Sequence, residues 1–235
     1  MAGKTIIFVR HGESEYNKAM RATGQDPFLR DAPLTETGRA QAEEAQGVLR
    51  KLQEEVGSDG WLLLSSPLQR ALDTAAGLWP SRFFAPAERL ERLEVWPELR
   101  EVITGCDDLG STPQRLLEKY PHLQQLNLLP EVWWTVPAAY QNLPADGDAM
   151  KDAYKDDEDA FEDADEAVFD SRVALLIEKL AAVPESKIVV VAHCDLIGKL
   201  TKKMGLKEKT TSGGFRKGWW LSNCECRMLR DFHFS

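Results

Sequence analysis

The chain has 235 residues, 43 % of them hydrophobic and 29 % charged, with a net charge of −9. That length can bury roughly 70 % of the unfolded surface, so a self-sufficient core is expected. No stretch approaches the ~18 apolar residues of a membrane span, and the apolar run in MAGKTIIFVRHGE is broken by Arg10 and His11, unlike a signal peptide. The acidic balance speaks against a nucleic-acid-binding face.

Residues 4–9, KTIIFV, have the apolar, β-branched character of a buried strand. A helical segment is expected over Ser14–Met20, then a loop over 23–33 with its Gly and Pro content. Ala, Gln, Glu and Leu make a helix of Glu36 to Glu55, ended by Gly57-Ser58-Asp59-Gly60. Trp61–Ser65 reads as a second buried strand and Leu68–Leu78 as a helix, with Pro67 where a helix start tolerates proline. A weak third strand falls in 89–96. Residues 97–145 are irregular apart from a helix at 113–120. A helix covers 160–182, its last part amphipathic. Lys187–Ala192 is the most strand-like run, Leu196–Met204 restarts a helix, and 219–232 suggests two short strands.

This alternation predicts an α/β fold: a three-layer α-β-α sandwich with a mostly parallel sheet and helices on both faces. No linker divides the chain, so 1–235 is expected to be one domain, with an insert or cap at about 103–160. The four cysteines, Cys106, Cys194, Cys224 and Cys226, are too few for a disulfide framework, and C-x-C lacks a second pair for zinc. They suit reduced thiols in a cytoplasmic protein.

Three apolar strands lead into polar residues of one chemical kind. The first ends in Arg10-His11, the second reaches Arg70 through Ser-Ser-Pro, and the late strand ends in His193. In parallel α/β sheets ligands bind beyond the carboxyl ends of the strands, so two arginines and two histidines would converge there. Arginines offer bidentate donors to a tetrahedral phosphoryl group, and imidazole can attack phosphorus or donate to its oxygens. Gly12 permits close backbone approach.

FVRHGESEYN (8–17) resembles the signature of the histidine phosphatase superfamily, in its phosphoglycerate-mutase-like branch 1. The resemblance continues in 23–42, in SSPLQRALDTA (65–75), in PELREV (97–102) and in VVVAHCDLIGKL (189–200). It implies a phosphoglycerate-mutase-like fold and phosphohistidine chemistry without metal or other cofactor. His11 matches the nucleophile, Arg10 and Arg70 the phosphate-pocket arginines, and His193 the second histidine. Glu101 matches the acid that protonates the leaving oxygen, with Glu98 as its competitor. Asn17 matches a donor to the phosphoryl group, and Thr23 and Gly24 a loop beside the substrate. Cys194 stands where many relatives have glycine, its backbone N–H still able to donate. A backbone carbonyl is expected to fix the tautomer of His11. Asp195 suits a helix N-cap, Arg100 a solvated surface, and Glu13 either the pocket or a solvated helix start. The tract CDDLGS (106–111) is similar to an acidic-then-glycine segment of some relatives and receives no role from the resemblance. The Trp133-Trp134 pair suits core packing or a pocket wall.

The implied activity is a phosphatase acting on a small phosphomonoester, independent of nucleic acid and membrane. The alternatives are a cofactor-dependent phosphoglycerate mutase (or bisphosphoglycerate phosphatase) and a non-catalytic module that binds a phosphorylated ligand. A mutase needs added cations over the site, and 103–160 offers only Arg115, Lys119, Lys151 and Lys155. The stretch 146–170 holds twelve acidic residues against Lys151 and Lys155, which more than accounts for the whole negative charge. It is expected to be a solvated or partly disordered lead-in to the helix at 160–182. The pocket potential is then set locally by Arg10, Arg70 and the two histidines.

Overall fold

The computed structural model describes residues 3–80, 93–210 and 214–234. The strand β1 (Lys4–Arg10) leads into α1 (Glu15–Thr23) and α2 (Glu36–Glu54); β2 (Trp61–Ser65) leads into α3 (Gln69–Leu78). A short β3 (Leu93–Val95) precedes a long excursion containing α4 (Pro113–Lys119) and α5 (Ala149–Asp156). The chain returns through α6 (Glu158–Ala182), β4 (Lys187–Ala192) and α7 (Cys194–Lys203). It then forms a hairpin, β5 (Lys207–Lys209) and β6 (Phe215–Lys217), and ends in β7 (Cys226–Phe232).

The main sheet has the order β3-β2-β4-β1-β7. Its first four strands are parallel, and β7 pairs antiparallel with β1 at the edge. The central strands lie between two layers, so both of their faces need apolar side chains, and they appear in sequence as continuous runs. Alternation along each strand then separates two cores. Ile7, Val9, Leu63, Val189 and Val191 pack with α2, α3 and the excursion between β3 and α6. Ile6, Phe8, Leu62, Leu64, Ile188 and Val190 pack with Val173, Leu176 and Leu180 of α6 and Leu196, Ile197 and Leu200 of α7. The expected α/β sandwich is the fold observed.

Local differences have identifiable causes. Only β7 forms in the stretch expected to hold two C-terminal strands: Trp219 packs edge-on against Phe8 at 6.1 Å, and Cys224 turns the chain at φ 54°. The weak third strand is confined to Leu93–Val95; residues 89–92 lie outside the described residues. Trp133 and Trp134 are core residues, packed edge to face at 5.4 Å, with the Trp133 indole donating to the Ser111 carbonyl at 2.8 Å.

Most of the acidic residues in 146–170 are solvated, as expected, but Asp165 is not. The stretch is ordered into α5 and the first half of α6, and Asp165 within it is 0 % exposed. The Oδ1 of Asp165 accepts from Arg100 Nη2 at 3.0 Å and from the Thr135 hydroxyl. Its Oδ2 accepts from the Ile103 N–H at 3.0 Å and Arg172 Nη2 at 3.2 Å. Burial alone would raise this carboxyl, but Arg172 and Arg100 outweigh it and hold it below the ordinary range. Arg172 extends the network to the carbonyls of Arg100 at 2.5 Å and Glu101 at 3.2 Å. Thus Arg100 is a buried structural arginine rather than a solvated one. Its counter-charge comes from 65 residues away in sequence, so local pattern gives no sign of it.

Replacing Asp165 by Ala strands two buried guanidinium groups and is expected to cost about 3–5 kcal/mol of stability in urea unfolding. Asp163→Ala, at an exposed position on the same helix, should stay within about 0.5 kcal/mol.

Candidate active site

The parallel register of β1 and β4 pairs Arg10 with Ala192, and the His11 N–H continues the ladder by donating to the Ala192 carbonyl at 3.0 Å. His11 and His193 therefore leave neighbouring strands side by side, their ring centroids 5.1 Å apart. Beyond β2, the Ser66 N–H donates to the Val191 carbonyl at 3.0 Å, and the Ser66 hydroxyl lies 2.8 Å from His193 Nε2. His193 Nδ1 is buried and has no hydrogen-bond partner among the described residues. His11, only 4 % exposed, has its Nδ1 2.7 Å from the Gly12 carbonyl. A carbonyl can only accept, so Nδ1 carries the proton and Nε2 keeps its lone pair. Burial lowers the pKa of His11, and Arg70 and Arg10 lower it further, so the imidazole is neutral. The same burial and the charge of Arg70 keep His193 neutral.

Arg10 is half-buried at the end of β1, and its Nη1 donates to the Leu221 carbonyl at 3.1 Å. Arg70, in the first turn of α3, is 2 % exposed. Its Nη1 donates to the Asp107 carbonyl at 2.6 Å and lies 3.0 Å from Asp107 Oδ2; its Nη2 donates to Asp108 Oδ1 at 2.5 Å. Burial works against the guanidinium charge, but Asp107 and Asp108 outweigh it and raise the Arg70 pKa. Burial raises both aspartates, against the pull of Arg70. These two carboxylates are site residues that the sequence reasoning missed. The only signal was the paired acid in CDDLGS, and a pair of aspartates by itself says nothing about facing a buried arginine.

Glu101 is buried just beyond the one-turn 3-10 helix Pro97–Leu99. Its Oε1 accepts from the N–H groups of Leu196 at 2.8 Å and Val102 at 3.0 Å, and its Oε2 from Asp195 at 2.9 Å. It thereby caps the N-terminus of α7 from another segment. The expected cap, Asp195, instead lies in the first turn, with His193 at the N-cap position. The start of α7 is packed inside, so its free donors need a buried acceptor. Burial, with help from Asp108 and Asp195, pushes the Glu101 carboxyl up to about 7 despite those donors. Glu98 points elsewhere, 2.8 Å from Lys179 on α6.

The Asn17 side chain accepts from the Ser14 N–H at 3.3 Å and so closes the capping box of α1. Together with Arg10, Met20, Arg21 and Asn223 it lines a cleft of about 340 Å³. The Asn223 amide donates to the His11 carbonyl at 3.0 Å, which sets this cleft beside the histidine. Cys194 shares the Leu221 carbonyl with Arg10, its Sγ at 3.7 Å. Thr23 and Gly24 lie at the exposed end of α1; the Thr23 hydroxyl bonds the carbonyls of Ala19 and Gln25, and Gly24 is the left-handed cap at φ 70°. No contact joins them to the histidines among the described residues. Glu13 is buried and accepts from the Thr35 hydroxyl at 2.7 Å and from Arg21. Gly12 does allow a close approach, but by α2: a Cβ there would stand 2.5 Å from the Gly38 carbonyl oxygen, and one on Gly38 2.1 Å from that of Glu13.

Two neutral imidazoles, two arginines and a carboxyl with a raised pKa thus share one end of the sheet. Known proteins resemble this chain in sequence and in fold. A glucosyl-3-phosphoglycerate phosphatase of Mycolicibacterium vanbaalenii is 41 % identical over 78 residues, 33 % of this chain and 30 % of that protein. A 2,3-bisphosphoglycerate-dependent phosphoglycerate mutase of Hamiltonella defensa is 47 % identical over 51 residues, 22 % of this chain and 19 % of that protein. The alignments span less than a third of the length of either relative. The fold is shared with a mycobacterial glucosyl-3-phosphoglycerate phosphatase solved with VO3, at 21 % identity and a TM-score of 0.50, covering 96 % of this chain and 90 % of that one. The model of the histidine phosphatase superfamily (branch 1) matches residues 6–216, nearly the whole chain, which therefore belongs to that family.

Proposed function

We propose that the protein is a phosphatase that hydrolyses a small phosphomonoester through a phosphohistidine on His11. The observation that carries this reading is the hydrogen bond from His11 Nδ1 to the Gly12 carbonyl, which leaves the Nε2 lone pair free beside Arg10, Arg70 and His193. In the first step Nε2 attacks phosphorus, and the phosphorus–oxygen bond to the leaving group breaks. The leaving oxygen takes the proton of Glu101. In the second step Glu101, now a carboxylate, accepts a proton from water as that water attacks phosphorus, and the phosphorus–nitrogen bond breaks. Arg10, Arg70 and His193 hold the phosphoryl oxygens, and Asn17 borders the entrance. The segment 103–160 acts as a cap that shapes the site through Asp107 and Asp108. Four free thiols fit work in the reducing cytoplasm on a phosphorylated metabolite.

Mutase activity is the second reading, supported by the similarity to phosphoglycerate mutases. The position of the cations in the cap favours hydrolysis. Lys119 bonds Gln69 and Asp73, Lys151 pairs with Asp148, and Lys155 lies over the Phe28 ring. Arg115 lines a separate cleft of about 890 Å³. The cap thus sends two carboxylates toward Arg70 and no cation, an unfavourable setting for a bisphosphorylated intermediate.

His11→Ala should reduce hydrolysis of an aryl phosphate at least about a thousandfold and abolish a trapped phosphohistidine; equal turnover by variant and wild type would refute the reading. With 3-phosphoglycerate, added 2,3-bisphosphoglycerate should elicit no isomerisation. As pH rises through about 7 Glu101 loses its proton, so kcat/KM for alkyl phosphates should fall on that side. Glu101→Gln should lower alkyl-ester turnover by about 10²–10⁴-fold and flatten that limb, with a smaller effect on aryl esters, whose leaving group needs no proton.

A further inference from the structure

Arg70 is the buried cation of the site, yet both of its terminal nitrogens already have carboxylate partners. Nη1 faces Asp107 Oδ2 at 3.0 Å and Nη2 meets Asp108 Oδ1 at 2.5 Å. All three side chains are almost wholly buried. Asp108 is held from behind, its Oδ2 accepting from the Thr104 N–H at 3.0 Å. Asp107 has the looser side-chain contact, and its backbone carbonyl already gives Nη1 a second acceptor at 2.6 Å.

The surrounding charges can be followed element by element. Arg10 closes β1, and the two histidines are neutral. Glu101 approaches from its loop and acts on both Arg70 and Asp108. Tyr16 on α1 and Asp26 after it face Asp107, with the Tyr16 hydroxyl donating to Asp26 at 3.2 Å. Asp165 and Arg172 on α6 act on Asp108 with opposite signs. The cations Arg10 and Arg70 are therefore cancelled when Asp107 and Asp108 are both ionised. A tetrahedral dianion entering this buried set would find no net positive charge to balance it.

We infer that Asp107 and Asp108 are positioning residues acting through Arg70: as a phosphoryl dianion binds, Asp107 takes one proton from solvent and cedes its Arg70 nitrogen to an oxygen of the anion. The proton converts a carboxylate into a neutral acid. The Arg70 Nη1 ion pair with Asp107 Oδ2 gives way to a contact with the incoming oxygen, while Asp108 keeps Nη2. Burial holds the Asp107 carboxyl well above its ordinary value, despite Arg70, which makes it the member of the pair ready to accept that proton. Two coupled functions result. The resting site is neutral and does not hold stray anions tightly, and occupancy by phosphate becomes pH-dependent. The inference rests on the reading of the His11 pocket as a phosphoryl site.

Titration calorimetry of the full chain with sodium tungstate, kept dilute enough to stay monomeric, reads this directly, since monomeric tungstate is a tetrahedral dianion that binds its own proton only in acid. Two buffers of different ionisation heat report the protons exchanged. Wild type should take up about one proton per tungstate at about pH 7.5. Asp107→Asn should take up none, bind about tenfold more tightly than wild type at about pH 8, and converge with it near about pH 6. Glu101→Gln should keep the proton uptake. If uptake persists in Asp107→Asn and disappears in Glu101→Gln, the proton belongs to Glu101 and the inference is overturned. It is also overturned if wild type takes up no proton, or if Asp107→Asn binds more weakly with the same pH slope, as a purely structural role would give. Should Asp107→Asn not fold, Asp107→Ser provides the second variant: it removes the same carboxyl from Arg70 Nη1, so its uptake should vanish as well, and full uptake there overturns the inference. A wild type that binds no tungstate and hydrolyses no aryl phosphate overturns the phosphatase reading and the inference together. Hydrolysis with tungstate binding but no proton uptake overturns the inference alone.

Discussion

The parallel pairing of β1 with β4, and of β4 with β2, is the constraint on which the site depends. It aligns Arg10 with Ala192 and Ser65 with Val191, so the next residues of three distant segments emerge together. His11, His193 and Ser66 are neighbours for that reason alone. A slip of one residue would turn alternate side chains to the opposite face, and the two separate apolar layers forbid it. Burial of the core thus fixes the spacing of the polar groups beyond it.

Those polar groups are themselves balanced by burial. Both imidazoles are kept neutral by loss of water and by Arg70, while Glu101 keeps an acid form near neutrality. Arg70 remains charged because Asp107 and Asp108 face it. Each group has the protonation state set by its neighbours, as expected where several ionisable side chains share a water-poor space. The large negative charge of the chain is largely irrelevant to this balance, because most of it lies in α6 and much of that is exposed.

Asp165 links that acidic stretch to the site. It brings Arg100 and Arg172 together and holds the Ile103 N–H, while Arg172 grips the carbonyls of Arg100 and Glu101. Glu101 in turn caps α7, the helix that begins immediately after His193. An ion network on one side of the sheet therefore controls the position of a carboxyl at its end. Removing one member leaves buried charge, which is why such networks act as rigid supports once complete.

The sequence by itself determined the sheet and its layers, because apolar runs such as KTIIFV, WLLLS and KIVVVA have few ways to be buried on both faces. It also determined that Arg10, His11 and His193 sit at strand ends, since those residues directly follow the runs. The backbone carbonyl that orients His11 was legible too, as a need of the imidazole. Only the tertiary structure decided the contacts made across long separations. Asp107 and Asp108 face Arg70 across almost forty residues, and Asp165 reaches Arg100 across 65. It also decided that Glu101 rather than Asp195 caps α7, and that Glu98 turns to Lys179. Local pattern records which side chains are apolar and how they alternate. It does not record which buried charge meets which, because that pairing is fixed only when packing removes water from both.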